Sequence, residues 1–253
     1  MKAIQNIPSV DLEDFLSGDA ERKNAFVQKL GSAYQDIGFV AVKNHRLSEE
    51  LVNALYKEVQ AFFNLPEEVK KQYEIEGLAG QRGYTSFGQE HAKGRNTGDL
   101  KEFWHFGQYV EDQDPIKKEY PDNVEVKELQ KFNSVGKEAY QTLEQTGADM
   151  LRAIALFLGL DENYFDQHIH NGNSILRPIH YPPITEEPKD AVRAAEHEDI
   201  NLITLLMGAS AEGLEILNKQ NEWVPVTALP GQIIVNVGDM LQRHTNNQLR
   251  STT

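Results

Sequence analysis

The chain has 253 residues, no cysteine and a formal net charge of −14 at pH 7. The length suits one sizeable core, the absence of thiols excludes disulfides and thiolate metal ligands, and the negative charge disfavours nucleic acid as a partner. Met1-Lys2-Ala3-Ile4-Gln5-Asn6 lacks the apolar segment of a signal peptide, and no apolar run approaches a membrane span, so the expectation is a cytoplasmic protein with no membrane partner.

In chain order, Ile7-Pro8-Ser9-Val10-Asp11-Leu12 reads as a short extended segment, because Pro8 disfavours the α region for its predecessor. Phe26, Leu30, Ala33, Tyr34 and Ile37 recur at helical spacing, and Gly38 is placed to stop that helix. Phe39-Val40-Ala41-Val42 then supplies a strand ending at Asn44-His45. A second helix starts after Ser48, carries Leu51, Leu55, Val59 and Phe62 on one face, and stops at Leu65-Pro66; Glu67 to Tyr73 restarts a short helix. Gly77 to Gly98 reads as a loop, and Gly80 and Gly83 follow no strand, so they make no phosphate loop. A helical region runs from about Val124 to Leu158, with Gly159 as its stop. From Ser174 onward the texture is β: Ile175 to Tyr181, Ile200 to Met207, Leu214 to Leu217, Trp223 to Val226 and Ile233 to Val237, separated by turn residues. Helices followed by a meander of strands imply an α+β chain whose second half is a barrel or sandwich.

His197-Glu198-Asp199 stands where the run Ile200 to Met207 begins. On a strand, residues i and i+2 share a face, so His197 and Asp199 converge while Glu198 points away. An imidazole and a carboxylate placed in this way, joined by a second His from elsewhere, form the 2-His-1-carboxylate set that leaves positions open on Fe(II). Alone, the His-x-Asp spacing is a weak signal, since it also arises in solvated turns.

Further tags surround it. Ile7-Pro8 with Asp11-Leu12, Gly38-Phe39 through Asn44-His45, Phe62-Phe63-Asn64-Leu65-Pro66, Gly83-Tyr84, Lys101-Glu102 and Tyr181-Pro182-Pro183 precede His197. Pro230-Gly231, Asn236-Val237-Gly238-Asp239 and Thr245-Asn246 follow it. In number and order these tags resemble the isopenicillin N synthase-like branch of the Fe(II)/2-oxoglutarate-dependent dioxygenases, over nearly the whole length. The resemblance implies a double-stranded β-helix, or jelly-roll, core with N-terminal helices packed outside. The implied layout is a single domain, 1–253: a helical and strand region 1–120, a long helical region 121–172, and over 173–253 part of the jelly roll carrying the metal site. It implies Fe(II) at His197 and Asp199, 2-oxoglutarate as co-substrate, O2 and a small-molecule substrate as partners, and ascorbate as an accessory reductant. The oxidation, in the simplest form a hydroxylation, would release succinate and CO2. In the family a distal His and an Arg-x-Ser pair complete the site; Thr253 falls just before the expected His, so both are expected beyond it in a longer protein.

Several residues carry two readings. Tyr181 either hydrogen-bonds the co-substrate or substrate, as the matching tyrosine does in relatives, or is a barrel tyrosine with a satisfied hydroxyl. Arg177 shares its strand face and binds a substrate acid group or forms a structural ion pair. Trp104, with Phe103 and Phe106, lines a substrate pocket or belongs to an aromatic core. His168 and His170 read as surface residues, and Asn236 and Asp239 as turn residues setting up a further strand. Ile179 stands where plant relatives often carry Asn, which argues against their substrate class. Three alternatives to the 2-oxoglutarate oxygenase are a relative using O2 without 2-oxoglutarate, a truncated or non-catalytic jelly-roll binding module, and a zinc hydrolase in which His244 joins His197 and Asp199. Substrate identity and oligomeric state are not legible; a small polar metabolite, such as an amino acid or its derivative, is the expectation by analogy of fold alone.

Overall fold

A computed structural model of the chain describes residues 7–78, 80–90, 99–184, 196–208, 214–219, 221–226 and 229–252. In chain order the elements begin with β1 (Ser9–Asp11), α1 (Leu12–Leu16), α2 (Ala20–Asp36), β2 (Phe39–Lys43), α3 (Glu49–Phe63) and α4 (Glu67–Lys70). Next come β3 (Gly83–Thr85), β4 (Glu102–His105), α5 (Gln130–Phe157), α6 (Asp166–Ile169) and β5 (Ile179–His180). The last are β6 (Ile203–Leu206), β7 (Glu215–Leu217), β8 (Trp223–Pro225), β9 (Gln232–Val237) and α7 (Asp239–His244). The architecture is thus mixed α and β, and none of the described helices is long and apolar enough to cross a membrane.

The chain divides into two compact units. The first is built from Met1–Leu47, Gln145–Ile169 and His197–Thr253, the second from Ser48–Glu144 and His170–Glu196.

In the first unit a four-stranded sheet runs β1-β2-β9-β6, with β1 parallel to β2 and the other pairs antiparallel. Strand alternation gives it two apolar faces. Ile203, Leu205, Val235 and Val237 pack with Phe26, Leu30, Tyr34, Met150 and Ile154 of the helices. Ile234, Leu206, Phe39 and Ala41 pack against Ile216, Val224 and Val226 of the β7–β8 hairpin and its flank. Each fully buried side chain of this size contributes roughly 1.5–3 kcal/mol. The helix over Phe26 to Ile37 forms as the spacing predicts: Asp19 caps it by accepting from Glu21 and Arg22, and Gly38, at φ +76°, ends it.

The second unit has a three-stranded sheet β3-β4-β5 around an aromatic core of Phe62, Tyr73, Tyr84, Trp104, Phe106 and Phe132. Ser48 caps α3 through its hydroxyl, which accepts from Leu51 N.

Four expectations change. The segment 77–98 is not all loop, since β3 lies within it and pairs with β4, which local periodicity did not reveal. The strand over Ile175 to Tyr181 shrinks to Ile179–His180 and an isolated bridge at Leu176, because Pro178 has no N–H to donate and only its carbonyl is used, by Trp104 N. Asp239 opens a helix, α7, rather than a turn into a strand. Finally, β6 begins at Ile203, so His197 to Asn201 precede it in irregular backbone. The cause is where their carbonyls go: Asp199 O accepts from Asp239 N at 2.7 Å, Asn201 O from Met240 N at 3.1 Å and Leu202 O from Gly238 N at 2.9 Å. The unpaired first-turn N–H groups of α7, which has no side-chain cap, claim the backbone that a strand neighbour would otherwise use.

Candidate metal centre

Although the His-x-Asp segment is not a strand, its two side chains meet. His197 Nε2 lies 3.8 Å from Asp199 Oδ1, with the imidazole 66% and the carboxylate 28% exposed. The other carboxylate oxygen is held: Asp199 Oδ2 accepts from Thr204 Oγ1 at 2.6 Å and from Asn236 Nδ2 at 2.9 Å. Those donors share a face because Thr204 and Asn236 are directly opposed in the antiparallel β6–β9 pair. Asn201 Nδ2 in turn donates to Thr204 Oγ1 at 2.9 Å. Gly238 closes the arrangement. A Cβ there would stand 2.3 Å from Asn201 O and 2.8 Å from Asp199 O, so only glycine lets the α7 terminus approach the segment.

The donor set fits a borderline divalent cation: one imidazole nitrogen and one carboxylate oxygen facing each other, with no thiolate. Their 3.8 Å separation is less than the sum of two metal–ligand bonds, about 4.2 Å, so one ion reaches both. Among the described residues no group of three or more His, Cys, Asp or Glu side chains forms, so no third ligand is found there. His244 does not supply it. Its Nε2 pairs with Tyr164 OH at 2.9 Å, and its ring packs against Phe165 and His168. The zinc alternative built on His244 therefore does not assemble. Asn236, read as a turn residue, instead touches Asp199, and Asp239 anchors it through its backbone. The available signal was a polar residue within the apolar run Ile233-Ile234-Val235-Asn236-Val237.

Trp104, Arg177 and Tyr181 belong to the second unit. Trp104 is 1% exposed and packed among Phe62, Tyr73, Phe106 and Phe132, with ring centroids 4.8–5.9 Å apart, so the pocket reading is corrected: it is core. Arg177 makes structural contacts, its Nη1 paired with Glu90 at 3.1 Å, its Nε donating to His105 Nε2 at 2.6 Å, and its guanidinium over the Phe103 ring at 4.5 Å. Burial, then the Arg177 charge, pushes the buried His105 down to about 4. Tyr181 is exposed just beyond β5, and partial desolvation raises its hydroxyl pKa.

Sequence reasoning did not single out Glu102 beyond its place in a tag. This buried carboxylate accepts from Lys70 Nζ at 2.7 Å and from Tyr84 OH, and pairs with His180 Nδ1 at 2.7 Å. Burial opposes its charge, but those contacts outweigh it and hold the pKa below the usual value.

Known proteins share both halves of this chain. Residues 7–128 match the family model for the N-terminal region of a non-haem dioxygenase in morphine synthesis, and residues 165–253 match that of the 2OG-Fe(II) oxygenase superfamily. Proline hydroxylase buaE of Petromyces alliaceus is 33% identical over 257 residues, which cover 97% of this chain and 78% of that protein. A 2OG-Fe(II) oxygenase family protein of Caulobacter crescentus superposes with a TM-score of 0.87 at 40% identity, covering 99% of this chain and 79% of the other. A full-length Neurospora crassa protein crystallised in complex with alpha-KG does so with 0.84 at 30%, covering 97% and 77%. Matches through both halves of the sequence, and relatives aligned over most of their own length, place the chain in one family: it belongs to the 2OG-Fe(II) oxygenase superfamily and is an oxidoreductase of the Fe(II)- and 2-oxoglutarate-dependent kind.

Proposed function

We propose that the protein hydroxylates a small polar molecule, with Fe(II) held by His197 and Asp199. The observation that carries this reading is the Asp199 carboxylate, fixed through Oδ2 by two neutral donors while Oδ1 faces His197 Nε2. When bound, iron with 2-oxoglutarate supplies the oxidising chemistry, in which one atom of O2 enters a C–H bond of the substrate and the other enters succinate as CO2 is lost. The chain's own residues bind and orient. His197 and Asp199 present their donors from a segment pinned by the α7 terminus, and Thr204 and Asn236 fix the carboxylate plane.

A jelly-roll core is part of this proposal. It is supported by the sheet β1-β2-β9-β6 with the β7–β8 hairpin packed over the face that carries Thr204 and Asn236. The substrate class draws on relatives: buaE is named a proline hydroxylase, and the Neurospora crassa protein has also been crystallised with alpha-KG and thymine. Proline and thymine are both small and polar. The test is succinate formation from 2-oxoglutarate with Fe(II), ascorbate and proline or thymine as trial substrates. The parent turns over and His197→Ala falls to background; equal rates in both would overturn the proposal.

A further inference from the structure

Asn236 is buried near the C-terminal end of an apolar strand, where an amide is disfavoured unless it is paired. Its partner is Asp199 Oδ2, which also takes the Thr204 hydroxyl. We propose that Thr204 and Asn236 are positioning residues that make Asp199 a one-oxygen ligand, with Asn201 directing the Thr204 hydroxyl. This rests on the metal-site reading above and deepens it.

The argument is one of hydrogen-bond capacity. A carboxylate oxygen has two lone pairs, and Oδ2 uses both, one for each donor. A hydroxyl donates once. Asn201 Nδ2 donates to Thr204 Oγ1 at 2.9 Å, so the Thr204 proton goes to Asp199, where the 2.6 Å separation marks a charge-assisted bond. The Asn236 amide can be oriented only one way, because the flipped form would set its carbonyl against a carboxylate. Both donors stand on paired strands, and the β-branched Thr204 has few rotamers, so the grip is rigid. Only Oδ1 is left for an ion. Without the grip, the carboxylate is free to rotate about its Cβ–Cγ bond, and Oδ1 is no longer held facing His197 Nε2, so the pair presents a less ordered site to an ion.

The experiment measures Mn(II) affinity of the metal-free protein from the free-ion EPR signal, with the thermal midpoint of each variant as a folding control. Thr204→Val keeps the shape and removes the hydroxyl, and it should weaken Mn(II) binding about tenfold or more, as should Asn236→Ala. Thr204→Ser restores the donor and should recover most of the affinity, which a role in packing alone would not predict. Asn201→Ala should give a smaller loss, and it carries the test if Thr204→Val does not fold. Parent-like affinity in Thr204→Val and Asn236→Ala, with loss in Asp199→Ala, overturns the positioning role and leaves the metal site standing. Parent-like affinity in Asp199→Ala overturns the metal site itself.

Discussion

Gly238→Ala tests how the site is built without touching a ligand. The backbone at Gly238, with φ −99° and ψ 171°, is open to any residue, so the obstacle is space alone. An alanine Cβ would lie 2.3 Å from Asn201 O, 2.4 Å from Asn201 Oδ1 and 2.8 Å from Asp199 O. Relief to ordinary contact requires a displacement of about 1 Å. The amide Oδ1 can rotate away, but the two carbonyls cannot, since they accept from Met240 N and Asp239 N. Either the Asp199 segment or the α7 terminus must therefore move. Overpacking of this kind costs roughly 1–3 kcal/mol of stability. A shift of about 1 Å in a reacting geometry costs on the order of a hundredfold in rate. Urea unfolding and succinate formation by the same preparation measure both. A variant with full turnover and parent stability would refute the close approach of α7 to the segment from His197 to Asn201.

Other consequences are equally open to measurement. His105 is lowered from 6.5 to about 4, so the unfolded chain takes up its proton first; its contribution to stability is complete above pH 6.5 and is lost as pH falls towards 4. His105→Gln should therefore remove about 1 kcal/mol of the stability lost between pH 7.5 and 5.5, and equal losses in parent and variant in chemical denaturation would contradict the burial account. Trp104→Ala should cost about 3–5 kcal/mol as a core cavity, and a variant of parent stability would contradict its place in the aromatic cluster. His244→Ala should leave Mn(II) affinity unchanged, because its Nε2 is engaged by Tyr164; a tenfold loss would return it to the ligand set.

Much of this was legible in the sequence, for physical reasons. The helices over Phe26 to Ile37 and after Ser48 repeat apolar residues at the helical period and carry their own caps and stops, so local pattern sufficed. The strand over Ile233 to Val237 was equally plain. What local pattern could not give is pairing between distant residues. The three-residue strand at Gly83 exists because β4 lies beside it, and the strand at Ile179 is cut short by Pro178. The convergence of His197 and Asp199 was expected from strand alternation, yet the backbone there is fixed by the N-terminus of α7, some forty residues later in the chain. Thr204 and Asn236 were hidden for the same reason, as their role depends on the register of β6 against β9.

The central claim is that His197 and Asp199 are the iron ligands of this chain, and the most direct measurement is an anaerobic Fe(II) titration in the presence of 2-oxoglutarate, read by the weak visible charge-transfer band of the chelate. The parent and Glu198→Ala should both develop the band, because the hydrogen bonds that shape the site converge on Asp199, and Asp199→Ala should not. Retention of the band in Asp199→Ala, or its loss in Glu198→Ala, would contradict the account.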